Sequence, residues 1–99
     1  MPEVPSFALL QQASLPMLQH LIPLWLRSGR REGGEWVAYN PNRADRTLGS
    51  FKVNLRTGRW ADFATGHKGG DAISLLAYLR GVSQAQAARL LARELRVRL

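Results

Sequence analysis

The chain contains no cysteine. That excludes disulfides and any thiolate metal site. Two histidines by themselves do not make a four-ligand zinc cage. Long apolar runs are missing too, and nothing approaches the roughly 20 residues that a membrane-spanning helix needs. The most apolar stretch, Leu15 to Leu26, is interrupted by Pro16, Gln19, His20 and Pro23, and it lacks the basic lead of a secretory signal. Acidic residues are scarce, 7 against 14 basic. There is no nucleophile paired with a base, no motif of paired carboxylates and no metal triad. No catalytic residue, metal ligand or cofactor is therefore expected, and the chain reads as a cytoplasmic protein with no membrane partner.

What is present is an ordinary globular composition, 45% apolar, over 99 residues. This suits one domain, 1–99, with no repeat or low-complexity segment. The net charge is +7, and every basic residue other than Lys52 and Lys68 is arginine. The planar guanidinium fork matches phosphate, so the composition points to a polyanionic partner.

The expected order is helix, three strands, two helices: a small α+β domain. Residues 1–13 are weakly punctuated and read as loosely ordered, with a short helical turn around Phe7 to Gln11. Ser14-Leu15-Pro16 reads as an N-cap with proline in the first turn, opening a helix over about 14–26. Pro23 is expected to kink or end it early. Residues 27–34 read as a basic connection. A sheet of about three strands then occupies about 35–64. Phe51, Val53 and Leu55 alternate with Lys52 and Asn54, giving one apolar and one wet face. Arg56-Thr57-Gly58 reads as a hairpin turn, and 66–70 as a second turn. Asp71 caps a helix over about 71–80 that Gly81 ends. Ser83 and Gln86 form a capping box for the last helix, about 83–96.

Several of these segments fall in one recognisable frame. Ser50-Phe51, Trp60 and Gly70-Asp71-Ala72-Ile73 occur in the order and spacing of the N-terminal zinc-ribbon domain of bacterial and phage DNA primases. The stretch Trp60-Ala61-Asp62-Phe63-Ala64-Thr65-Gly66-His67-Lys68-Gly69-Gly70-Asp71 resembles the cysteine-free variant in primase-like proteins of phages and mobile elements. The resemblance implies a metal-free, zinc-ribbon-like antiparallel sheet with one N-terminal and two C-terminal helices. It puts the former ligand positions at Asn40, Arg43, Asp62 and Thr65. These side chains suit zinc poorly, because arginine does not deprotonate and neutral oxygens are weak ligands. A structural zinc can contribute about 10–16 kcal/mol to folding, so its loss has to be offset. One expected substitute is an Arg43–Asp62 ion pair, with Asn40 and Thr65 hydrogen-bonding the same turns. The alternative is that Asp62 and Thr65 are ordinary turn residues. The second substitute is apolar: Trp36, Phe51, Val53, Leu55 and Phe63 packed on the C-terminal helices.

For such a domain the resemblance implies recognition of single-stranded DNA template in replication, with catalysis on a primase catalytic domain elsewhere. The candidate contacts are Arg46, Lys52, Arg56, Arg59, Trp60, His67 and Lys68. Trp60 and Phe63 belong to opposite strand faces. If Phe63 is core, Trp60 is available to stack a base; the alternative is that Trp60 is itself core. The competing function is a protein-interaction module that docks a helicase or another replication protein. A third is a small regulator that binds an acidic protein.

Overall fold

A computed structural model describes residues 6–41 and 49–98. Five strands make up its sheet: β1 (Arg30–Glu32), β2 (Glu35–Ala38), β3 (Phe51–Asn54), β4 (Trp60–Asp62) and β5 (Lys68–Gly69). They run antiparallel in sequential order, β1-β2-β3-β4-β5. The sequence reading expected about three, and the two edge strands are the addition. β1 pairs with β2 through Glu32 opposite Glu35, so Gly33-Gly34 is a two-residue turn. Gly33 sits at φ 61, a conformation that glycine adopts without strain. Every residue of β1 is exposed, so no alternation marks it as a strand. Its Arg-Arg-Glu sequence keeps a sheet edge charged, which discourages pairing with another chain. β5 is only two residues long and folds the expected second turn back onto Trp60 and Ala61.

The β3–β4 hairpin follows its turn chemistry. The Asn54 side-chain carbonyl accepts from the backbone N–H groups of Arg56 and Thr57. Gly58 then closes the turn, donating to the Asn54 carbonyl at 2.9 Å.

The N-terminal helix is longer than expected. It runs as α1 (Phe7–Ser14), a 3-10 turn (Leu15–Met17) and α2 (Leu18–Trp25). The short turn expected around Phe7 to Gln11 is thus a full helix that continues through Ser14. Ser6 is the cap, its hydroxyl accepting from the Leu9 N–H at 3.2 Å. Ser14 is instead buried, and its hydroxyl donates back to the Gln11 carbonyl. Leu10, Ser14, Leu18, Leu21, Ile22 and Trp25 form one buried stripe through the 3-10 turn. Gln11 and Gln12 hid that stripe in the sequence. Helix α2 passes Pro23 and ends at Trp25, two residues later.

The C-terminal half forms as its local signals dictate. In α3 (Ala72–Arg80), the Asp71 carboxylate accepts from the Ser74 N–H at 2.8 Å. Gly81 ends the helix in the left-handed region, φ 66. In α4 (Gln84–Arg98), Ser83 and Gln86 exchange the reciprocal bonds of a capping box. The helices cover one face of the sheet. Leu18, Leu21, Ile22, Ile73, Leu76 and Leu91 pack there in one cluster with Phe51, Val53, Leu55 and Trp60. No described helix is long and apolar enough to cross a membrane.

Candidate nucleic-acid interface

Directly opposed residues on neighbouring strands share a face of the sheet. Val53 opposes Trp60 and Phe51 opposes Asp62. Phe51 and Val53 are fully buried, so Trp60 and Asp62 point inward with them. Trp60 is 6% exposed. Its ring stacks on Phe51 at 5.7 Å and meets Tyr78 at 4.7 Å. Its indole N–H donates to the Ser74 hydroxyl at 3.0 Å. Gly69 lies under that bond: a Cβ there would collide with the Trp60 indole nitrogen and the Ser74 oxygen.

The condition for a stacking Trp60, a core Phe63, is not met, and the alternative holds. Trp60 is core and is not placed to stack a base. Phe63 does not pack on the C-terminal helices; it is 71% exposed. The alternation of the two residues was legible in the sequence, but the face was not. Val53 and Trp60 flank the hairpin turn at paired positions, and that register was the available signal.

The outer face carries a row that crosses all five strands: Arg30, Val37, Lys52, Ala61 and Lys68. Val37 is the buried member, with Gly49 beside it. A neighbouring row contains Glu35 opposite Asn54. Phe63 lies beyond Ala61, its N–H bonded to the Ser50 carbonyl at 2.8 Å. A groove of about 640 Å³ opens on this face, with Glu35, Lys52, Arg59, Ala61, Phe63 and Lys68 in its walls. The Lys52 ammonium lies 5.8 Å from the centre of the Phe63 ring, a cation–π distance. Lys52, Arg59 and Lys68 make no ion pair with any described residue; the pair found among those residues is Arg30–Glu32, on the β1 edge. The groove is thus a basic channel with an exposed aromatic wall.

The remaining expected contacts are dispersed. Arg56 sits exposed at the hairpin tip, outside the groove lining. His67 turns to the inner side, with its Nδ1 3.0 Å from the Tyr78 hydroxyl and its ring edge-on to the tyrosine. Arg46 lies outside the described residues.

The positions that the resemblance assigns to former ligands are partly brought together. Asn40 and Asp62 are both buried, 1% and 0% exposed. The Asn40 amide donates to the Asp62 carboxylate at 2.7 Å and to the Tyr78 hydroxyl at 2.8 Å. The other Asp62 oxygen accepts from the Ala64 N–H, shaping the turn after β4. Asn40, Asp62, Tyr78 and His67 thus form a polar chain that ties the ends of β2 and β4 to α3. Thr65 is exposed and accepts from the His67 N–H. Arg43 lies outside the described residues, and so does its expected pair with Asp62. Tyr78 was not singled out in the sequence, where it reads as one more residue of an apolar helix. No group of three or more histidine, cysteine, aspartate or glutamate side chains suited to a metal occurs among the described residues.

No protein-family model, curated protein or solved structure matches the chain.

Proposed function

We propose that this chain is a nucleic-acid-binding module that takes single-stranded DNA across the open face of its sheet, in primase-type replication of a phage or mobile element. The observation that carries the reading is Phe63, a phenyl ring 71% exposed beside Lys52, Arg59 and Lys68, which pair with no described residue. An exposed ring offers a π-face to any base, and such stacking is worth about 1–3 kcal/mol per base. Lys52, Arg59 and Lys68 meet the phosphates and release counterions.

The primase part rests on the frame from Ser50 to Ile73 and on the Asn40–Asp62 bond. That bond joins the two turns that a metal would clamp in a zinc ribbon, at the positions the resemblance assigns to ligands. In this reading the sheet is a ribbon that has exchanged its metal for buried hydrogen bonds and a larger apolar core. A primase catalytic domain or a helicase supplies the chemistry.

Fluorescence anisotropy with a labelled single-stranded oligonucleotide tests the proposal. Binding should weaken as salt rises. Phe63→Ala should weaken it by roughly 5- to 150-fold. Absence of binding at low salt, or a neutral Phe63→Ala, sinks the reading.

A second reading, docking of a protein such as a helicase, is favoured by one observation. Phe7, Leu9 and Leu15 are exposed by 43, 65 and 41% along the N-terminal helical run. Leu9→Glu would break such a contact and leave oligonucleotide binding intact.

A further inference from the structure

The groove contains one acid among its cations. Glu35 opens β2 and opposes Asn54 on the outer face. Its side chain lines the same groove as Lys52, Arg59, Phe63 and Lys68. Its carboxylate makes no hydrogen bond or ion pair with any described residue, although Lys52, Arg59 and Lys68 line the same groove. A carboxylate in a phosphate-binding channel repels the backbone and weakens non-specific binding. What it can add in return is selectivity among bases, through its two acceptor oxygens. Asn54, its cross-strand neighbour, spends its side-chain carbonyl oxygen on Arg56 and Thr57, so it has only amide donors to offer a base and does not duplicate the acceptor role of Glu35.

We infer that Glu35 is a specificity residue that selects guanine within a single strand; the inference rests on the single-strand reading above. An ionised carboxylate only accepts hydrogen bonds, through two oxygens side by side. Unpaired bases are read on their Watson–Crick edges. On that edge guanine presents two adjacent donors, N1–H and the N2 amino group, which match the two carboxylate oxygens. Thymine presents one N–H between two carbonyls. Cytosine and adenine present an amino group beside a ring-nitrogen acceptor, which the carboxylate repels. Four residue steps along the chain separate the Ser50 position, beside Phe63, from the Asn54 position, beside Glu35. That is about 13 Å of strand. The base stacked on Phe63 and the base read by Glu35 are therefore different nucleotides, with Lys52 between them to hold the linking phosphate.

The test is anisotropy at fixed salt with three labelled strands of equal length: oligothymidine, the same strand with isolated guanines, and the same strand with inosine for guanine. Inosine keeps N1–H and lacks the amino group. The native chain should bind the guanine strand roughly tenfold tighter than oligothymidine, the size of one good bidentate contact. Inosine should fall between them. Glu35→Ala should erase the guanine preference while oligothymidine affinity stays equal or rises, since a repulsive charge is gone. Glu35→Gln, which keeps the shape, should lose most of the preference. Equal affinity of the native chain for all three strands overturns the inference and leaves the single-strand reading standing. A guanine preference that survives Glu35→Ala, in a variant with an unchanged thermal melt, also overturns it. Absence of binding to every strand overturns both.

Discussion

Replacing Trp60 and Phe63 by alanine, one at a time, separates the two faces of the sheet. Trp60 is 6% exposed, lies against Phe51 and Tyr78, and donates to Ser74. Truncating a buried tryptophan removes its transfer free energy and leaves a cavity, together about 3–5 kcal/mol. A domain of this length has a total stability of about 5–15 kcal/mol. Each kcal/mol moves the midpoint by roughly 4–8 °C at this size, so Trp60→Ala should melt at least about 12 °C lower than the native chain. The loss of the Ser74 partner adds to this, because the serine hydroxyl then keeps only its bond to the Asp71 carbonyl. Phe63 is 71% exposed, and its truncation should change stability by no more than about 0.5 kcal/mol. Thermal melts followed by far-UV circular dichroism, paired with oligonucleotide anisotropy, read both effects. Trp60→Ala should lose stability, and Phe63→Ala should lose binding alone. A Trp60→Ala variant that melts with the native chain, or a Phe63→Ala variant that loses several kcal/mol, refutes the assignment of faces.

Asn40→Ala removes a donor from both the Asp62 carboxylate and the Tyr78 hydroxyl, and urea unfolding should show a loss of about 1–3 kcal/mol. Gly69→Ala drives a methyl group into the Trp60–Ser74 bond and should cost about 1–3 kcal/mol, read as a lower midpoint and an altered tryptophan emission. Lys52→Ala and Lys68→Ala should each reduce the salt slope of single-strand binding by about 0.7, with little change in thermal midpoint. Treatment with a chelator should leave the melting temperature unchanged; a large drop, with stoichiometric zinc by metal analysis, would refute the proposed replacement of metal by the Asn40–Asp62 bond.

The C-terminal half was the more legible part of the fold. Its signals act within a few residues: the Asp71 cap, the Gly81 stop and the Ser83–Gln86 box each satisfy backbone groups of their own helix end. The same holds for Gly58 in the β3–β4 turn. The N-terminal helix was less legible, because Leu10 and Ser14 become a core stripe only when α3 and α4 lie against them. The strands β1 and β5 were missed because neither alternates. Gly33-Gly34 between charged residues was a hairpin signal that the all-polar β1 obscured.

The candidate site divides in the same way. Its charge was visible in Lys52, Arg59 and Lys68, as was the opposition of Trp60 to Phe63. The sequence by itself determined the turns, the helix ends, the alternation and the excess of positive charge, since each is set by neighbouring residues along the chain. Only the tertiary structure decided which side of β4 faces the helices, because its residues, unlike those of β3, do not divide into an apolar and a polar set. For such a strand alternation is symmetric, and turning it over exchanges its two faces without changing the pattern. The pairing of Val53 with Trp60 and the packing of the helices over Phe51 broke that symmetry. They placed Trp60 and Asp62 in the core and left Phe63 and Glu35 on the open face.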